Sequence, residues 1–177
     1  DERPLSNAYQ AITQTPDGNI WVAGRRGVQV FPAGQVAEPW RLINLEGAEA
    51  HAFYPAPQGL WIGTTWGAAF WDYQTGALTY YQSGAAGEAL SSAATAITVD
   101  SRNRVWFGTF EGLTVLDDQT YTYYDLLTDQ ERQQGKVAPM VYAILYDRQG
   151  QAIWVGVNGA LYRFAEGGGM ARYQQIF

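Results

Sequence analysis

Ala96-Ile97-Thr98-Val99-Asp100, a turn at Ser101-Arg102-Asn103-Arg104, then Val105-Trp106-Phe107-Gly108-Thr109-Phe110-Glu111-Gly112-Leu113 holds the pattern of the chain in compressed form. An apolar run, a polar turn, a second apolar run opening on Trp, a Gly and a third run follow one another. Short runs rich in β-branched and aromatic residues, separated by Gly, Asn and Asp, read as strands joined by tight turns.

The pattern recurs outward from this stretch in both directions. Its anchor is repeated in Ile20-Trp21-Val22-Ala23, Leu60-Trp61-Ile62-Gly63 and Ile153-Trp154-Val155-Gly156, and successive Trp residues lie 40, 45 and 48 positions apart. A Gly follows six positions after Trp in three repeats (Gly27, Gly67, Gly112) and five after it in the last (Gly159). Upstream stand Ala11-Ile12-Thr13, Ala52-Phe53-Tyr54 and Ala143-Ile144-Leu145-Tyr146, each followed by a turn: Pro16-Asp17-Gly18-Asn19, Pro57-Gln58-Gly59 and Arg148-Gln149-Gly150. The turn residues are expected to supply positive φ. A third strand follows each Gly, and an aromatic fourth strand closes each unit: Trp40-Arg41-Leu42-Ile43, Leu78-Thr79-Tyr80-Tyr81, Tyr121-Thr122-Tyr123-Tyr124 and Met170-Ala171-Arg172-Tyr173.

Each unit is a four-stranded meander, and a period of about 40–50 residues is that of β-propeller blades. The expected fold is all-β, four four-stranded antiparallel blades in one domain, as a four-bladed ring or a partial propeller. Blades are expected near 8–46, 50–83, 94–127 and 140–177. A single blade cannot bury both faces, so Trp21, Trp61, Trp106 and Trp154 are expected to fill the seams between blades. No spare strand is left to complete another blade. A ring that fails to close would expose apolar faces, and self-association through them is expected.

Composition agrees. The 177 residues include 7 Trp, 12 Tyr, 7 Phe and 20 Gly, with 47% hydrophobic and 16% charged, which points to a packed core. A net charge of −6 and the absence of any Lys/Arg cluster beyond Arg25-Arg26 argue against nucleic acid and anionic membrane surfaces. With no Cys there is no disulfide, thiolate nucleophile or Cys-bound zinc. No run of about 20 apolar residues reads as a membrane span. The first residue is Asp, as expected of a processed chain or one taken from a longer protein.

The third repeat resembles the two-component regulator propeller repeat, Ile-x-x-Asp followed by Leu-Trp-hydrophobic-Gly-Thr-x-x-Gly-Leu. Leu5-Ser6-Asn7 and Leu90-Ser91-Ser92 look like the element that precedes its first strand. Tryptophan–aspartate and lyase-type propellers share Trp and Gly at similar spacing. The resemblance implies an extracytoplasmic sensor region of a bacterial sensor histidine kinase or diguanylate cyclase, periplasmic or extracellular, with a glycan or other small molecule as ligand. The first repeat departs from the motif at Ala23-Gly24-Arg25-Arg26, and the second has Pro55-Ala56-Pro57 where the Asp is expected.

In a propeller the second-to-third strand turns and the inter-blade loops meet at one end, where ligands are bound. Candidate binding residues are therefore Arg25, Arg26, Thr65, Trp66, Phe110, Glu111 and Asn158, with Val157 beside the last. Trp66 is an aromatic beyond the repeat anchor and suits stacking on a sugar ring or a cation. Leu127 to Lys136 is a long polar inter-blade loop, and Thr128-Asp129-Gln130-Glu131 fits a capping box.

Catalysis finds no constellation. His51 is the only His, it reads as a loop residue, and no Gly-x-Ser-x-Gly elbow is present. Asp117-Asp118, Asp125 and Asp129 lack calcium-loop spacing, and Gly167-Gly168-Gly169 lacks the Lys of a phosphate loop. No metal, cofactor or enzymatic activity is expected. A protein–protein or self-assembly module is the alternative to a sensor.

Overall fold

In the computed structural model, residues 8–25, 27–34, 41–81, 90, 92–166 and 169–174 are described. They form four antiparallel sheets. Blade 1 is β1 (Tyr9–Gln14), β2 (Ile20–Gly24), β3 (Gly27–Phe31) and β4 (Arg41–Ile43). Blade 2 is β5 (Ala50–Pro55), β6 (Gly59–Thr64), β7 (Gly67–Asp72) and β8 (Leu78–Tyr81). Blade 3 is β9 (Ala94–Val99), β10 (Val105–Thr109), β11 (Gly112–Asp117) and β12 (Thr120–Tyr124). Blade 4 is β13 (Val141–Asp147), β14 (Ala152–Val157), β15 (Ala160–Ala165) and β16 (Met170–Gln174). Every sheet pairs its strands in chain order, as a meander does. Trp40 and the first two residues of the triple glycine lie outside the described residues, as do Leu5-Ser6-Asn7 and Ser91.

The repeated Gly is a backbone requirement. Gly112 has φ of 114°, a region that L side chains rarely enter, and a Cβ there would lie 2.5 Å from the Tyr124 carbonyl oxygen. The first-to-second strand turns vary more than expected. Gly18 (φ 85°) and Asn103 (φ 62°) take the positive φ in blades 1 and 3. Blade 4 uses Gln151 (φ 44°) instead of Gly150. There a Cβ would strike the Asp147 carboxylate, which accepts from the backbone N–H groups of Gln149 and Gly150 at 3.0 and 2.9 Å.

The seams between blades are the core. One face of each blade carries the anchor Trp, and the next blade offers a face of aliphatic and aromatic residues to receive it. Trp21, Val28 and Val30 of blade 1 pack on Leu60, Ile62 and Trp71 of blade 2. Trp61 and Ala68 pack on Val105, Phe107 and Leu116 of blade 3. Trp106, Leu113 and Val115 pack on Ile153, Val155 and Phe164 of blade 4. The rings are tilted or edge-on, Trp21 to Trp71 at 5.9 Å and Trp61 to Phe107 at 5.5 Å, as the ring quadrupoles favour. Trp106 donates its indole N–H to Asp100 at 2.9 Å and Trp21 donates to Thr15 at 3.0 Å, six residues upstream in both cases. In blade 2 that position is Pro55, whose side chain has no acceptor.

The innermost strands run side by side in the order β1, β5, β9, β13, and among the described residues no comparable packing brings β13 back to β1. The described residues thus form an open arc, a partial propeller. Its two terminal faces expose apolar residues: Ile12 is 71% exposed on blade 1 and Leu145 63% on blade 4. Trp154 holds the anchor position of this outer face of blade 4, so it fills no seam within the chain, unlike the other three anchors.

Candidate functional site

The turns and loops of the blades gather at two ends, upper and lower. At the upper end the second-to-third strand turns meet the inter-blade loops. The Arg25 Nε donates to Glu49 Oε1 at 3.1 Å. Glu49 sits in the loop entering blade 2, where its backbone N–H donates to Thr65 Oγ1 at 3.1 Å and its carbonyl accepts the Thr65 N–H at 3.0 Å. Arg25 and Thr65 are therefore joined through Glu49. Trp66 is 51% exposed, and a methyl group added to Gly47 would stand 3.4 Å from its ring, so the indole lies over the same loop. Phe110 is 46% exposed on blade 3, and Tyr123 of β12 donates its hydroxyl to the Glu111 carbonyl. Asn158 is exposed in the turn after β14. Arg26 lies outside the described residues. No described hydrogen bond ties Phe110 or Asn158 to the Arg25–Glu49–Thr65 group.

The loop between blades 3 and 4 forms α1 (Asp129–Gln133), capped by Thr128 with Glu131 completing the expected capping box. Glu131 accepts from both Arg172 terminal nitrogens of β16, at 2.7 and 3.1 Å. These bonds, with those from Thr128, hold the Glu131 carboxyl far below the usual carboxylate range. Arg132 donates to Asp125 at 2.9 and 3.1 Å and to Asp129 at 2.7 Å. The loop is thus held by ion pairs at the rim of the upper end.

Near the same end each innermost strand carries an irregularity that skips one residue: Gln10, His51, Thr95 and Tyr142. Bulges of this kind re-aim a side chain. His51 is in a strand, β5, and is not a loop residue as the sequence reading had it. Its Nδ1 is 3.0 Å from Gln10 Oε1 across the seam, and its Nε2 is buried with no hydrogen bond. Burial lowers its pKa against the opposing pull of Glu49. Thr95 donates to the Val141 carbonyl of the next blade at 2.6 Å, and its oxygen is 3.0 Å from the Gly108 carbonyl. These four residues differ in chemistry, so no motif reveals them. The only signal is the Ala that follows each one (Ala11, Ala52, Ala96, Ala143).

The lower end holds a cleft of about 720 Å³ across blades 2, 3 and 4. Tyr54, Phe70 and Tyr146 supply aromatic wall, and Gln58, Asn103 and Arg148 supply polar groups from the first-to-second strand turns. Ser101 of the lining donates its Oγ to Glu166 of blade 4 at 2.6 Å, and that bond lowers the Glu166 pKa. None of the upper-end candidates lines this cleft. Among the described residues there is no group of three or more His, Cys, Asp and Glu placed to hold a metal ion. Nor, among the described residues, is any helix long and apolar enough to cross a membrane.

The four meander sheets, stacked seam on seam around their innermost strands, define the class: a β-propeller repeat protein. Residues 4–26 match the model of the two component regulator propeller, so the repeat that opens the chain is of that family. No curated protein matches the sequence.

Solved structures agree on the fold. The extracellular domain of a hybrid two component system from B. thetaiotaomicron superposes with a TM-score of 0.65 at 15% identity, over 97% of this chain and 28% of that one. A second such domain from the same organism gives 0.69 at 19% identity, over 96% and 25%. A virginiamycin B lyase from Staphylococcus aureus, solved with quinupristin, gives 0.73 at 15% identity, over 99% and 59%. The chain therefore spans about a quarter of the two extracellular domains and under two thirds of the lyase.

Proposed function

We propose that this chain is a ligand-sensing propeller module of a two-component-type signalling receptor, working outside the cytoplasm in the periplasm or at the cell surface. The observation that carries this reading is the combination of the regulator-propeller repeat at residues 4–26 with a fold shared by two extracellular domains of two component systems. The upper end is the proposed recognition surface. Its framework repeats from blade to blade while the turn residues differ: Arg25, Thr65-Trp66, Phe110-Glu111 and Asn158. That division of labour suits a scaffold that varies its specificity. An exposed indole beside a cation and a carboxylate fits a neutral polyhydroxylated ligand such as an oligosaccharide, bound by stacking and by hydrogen bonds.

What favours sensing over lyase chemistry is the setting of the one histidine. The variant of that lyase described as catalytically inactive lacks one histidine. The sole histidine of this chain, His51, has its Nδ1 on Gln10 and its Nε2 buried, so it is poorly placed to take a proton from a substrate. A sensing role without catalysis is the better reading.

Thermal-shift screening of oligosaccharides tests the proposal. A concentration-dependent rise in Tm that is lost in Trp66→Ala is the expected result. A rise that survives both Trp66→Ala and Phe110→Ala overturns the upper end as the site.

A further inference from the structure

The three internal seams share one rule. The Trp-bearing face of a blade always meets the aliphatic and aromatic face of the next. The arc ends on the two unmatched halves of that same seam. Blade 4 presents a Trp-type face in which Leu145 is paired across β13–β14 with Trp154, and Leu161 across β14–β15 with Gly156. Leu145 and Leu161 are 63% and 41% exposed. Blade 1 presents a receiving face, with Ile12 opposite Val22 and Phe31 opposite Ile20, in register with the positions of Ile62, Leu60 and Trp71. A groove of about 440 Å³ lined by Ile12, Val22 and Phe31 lies on it.

Gly156 strengthens the case. In blades 2 and 3 the equivalent glycines admit the innermost strand of the next blade: a Cβ would lie 2.4 Å from the Ala94 carbonyl oxygen at Gly63 and 2.4 Å from Val141 Cγ1 at Gly108. At Gly156 the nearest atoms are 3.8 Å away and belong to Ala143 of the same blade. The docking glycine is present where no described residue of this chain docks. A cation is present as well: Arg163 is in register with Val30, whose cross-strand neighbour Arg41 stacks 4.4 Å over Trp71 in the first seam.

We infer that two copies of this chain associate head to tail, the blade 4 face of each on the blade 1 face of the other, closing an eight-bladed ring. The blade count allows it. Four blades are half of an eight-bladed ring. Eight is within the four to eight blades that propellers use. The area suffices. A face of four strands about 17 Å long covers roughly 300 Å² in plan. Two seams bury four faces, roughly 1,200 Å², above the ~1,000 Å² of a specific interface. Because the contact is heterologous, it must close or propagate.

Sedimentation equilibrium on the 177-residue chain tests this independently of ligand sensing. The expected mass is twice 19.6 kDa at micromolar concentration. Ile12→Asp and Leu145→Asp, both at exposed positions, should each leave the circular dichroism unchanged and weaken the dimer more than tenfold. A monomer at all concentrations, a ladder of larger masses, or dependence on only one of the two positions overturns the inference.

Discussion

Trp106 of blade 3 lies 5.7 Å from Phe164 of blade 4, ring centroid to ring centroid, while its indole N–H donates to Asp100 of its own blade. One side chain thereby joins the local turn to the seam. Asp100 also accepts from the backbone N–H groups of Arg102 and Arg104 and from Arg104 Nε, so the turn, the ring and the neighbouring blade are fixed together. Trp106→Ala is expected to destabilise the fold by about 3–5 kcal/mol, as large aromatic deletions in cores do. Trp66→Ala, at an exposed loop position, should cost under about 1 kcal/mol. Urea unfolding of the two variants side by side measures the contrast. Equal losses would contradict the placement of one ring in a seam and the other at the surface.

The Thr95 hydroxyl crosses the blade 3–4 seam to the Val141 carbonyl at 2.6 Å. Thr95→Val keeps the shape and removes the donor. It should cost about 1–3 kcal/mol, the usual price of a buried acceptor left unmet. Hydrogen exchange is expected to rise first at the β9–β13 seam. A loss spread evenly over all four blades would contradict a seam-specific role.

The inter-blade loop at α1 should be acid-sensitive. The Glu131 carboxyl is held far below its ordinary pKa of 4.5, first by Arg172 and then by Thr128. As the pH falls below 4.5 the unfolded chain takes up a proton that the folded chain refuses, so the stabilisation present above that pH is lost progressively on acidification. Asp125, bonded to Arg132, adds in the same direction. Limited proteolysis of the 125–136 loop from pH 7 to pH 3 should show cleavage increasing with acid, and Arg172→Gln should make the loop labile already at neutral pH. A pH-independent loop would contradict the docking role of Glu131.

Much of the fold was legible because propeller packing repeats. Trp21, Trp61 and Trp106 recur where one seam demands one bulky ring, and Gly27, Gly67 and Gly112 recur where one turn demands one φ. The capping box at Thr128 was legible because its spacing is local. The bulged residues were not. A bulge is set by how two innermost strands meet across a seam, and Gln10, His51, Thr95 and Tyr142 share no chemistry. The lower cleft escaped for the same reason, since Tyr54, Asn103 and Tyr146 come from three blades and converge only when the blades stack. Blade closure was equally silent: an anchor Trp has the same sequence signature with or without a following blade.

That last ambiguity gives a sharp experiment on a single methyl group. At Gly108 an added Cβ would stand 2.4 Å from Val141 Cγ1 and 2.9 Å from its Cβ, closer than real contacts allow. Both atoms belong to a strand already fixed by Thr95, so the blade 3–4 seam must open to accept Gly108→Ala. Overpacking of this kind costs about 1–3 kcal/mol. At Gly156 the same methyl meets nothing closer than 3.8 Å, and Gly156 has no positive φ to strain. Gly156→Ala should therefore leave the stability of an isolated arc within about 0.5 kcal/mol. Differential scanning calorimetry at dilutions where the chain is monomeric reads both effects. If Gly156→Ala destabilises the monomer as much as Gly108→Ala does, the outer face of blade 4 is already filled and the arc is not open.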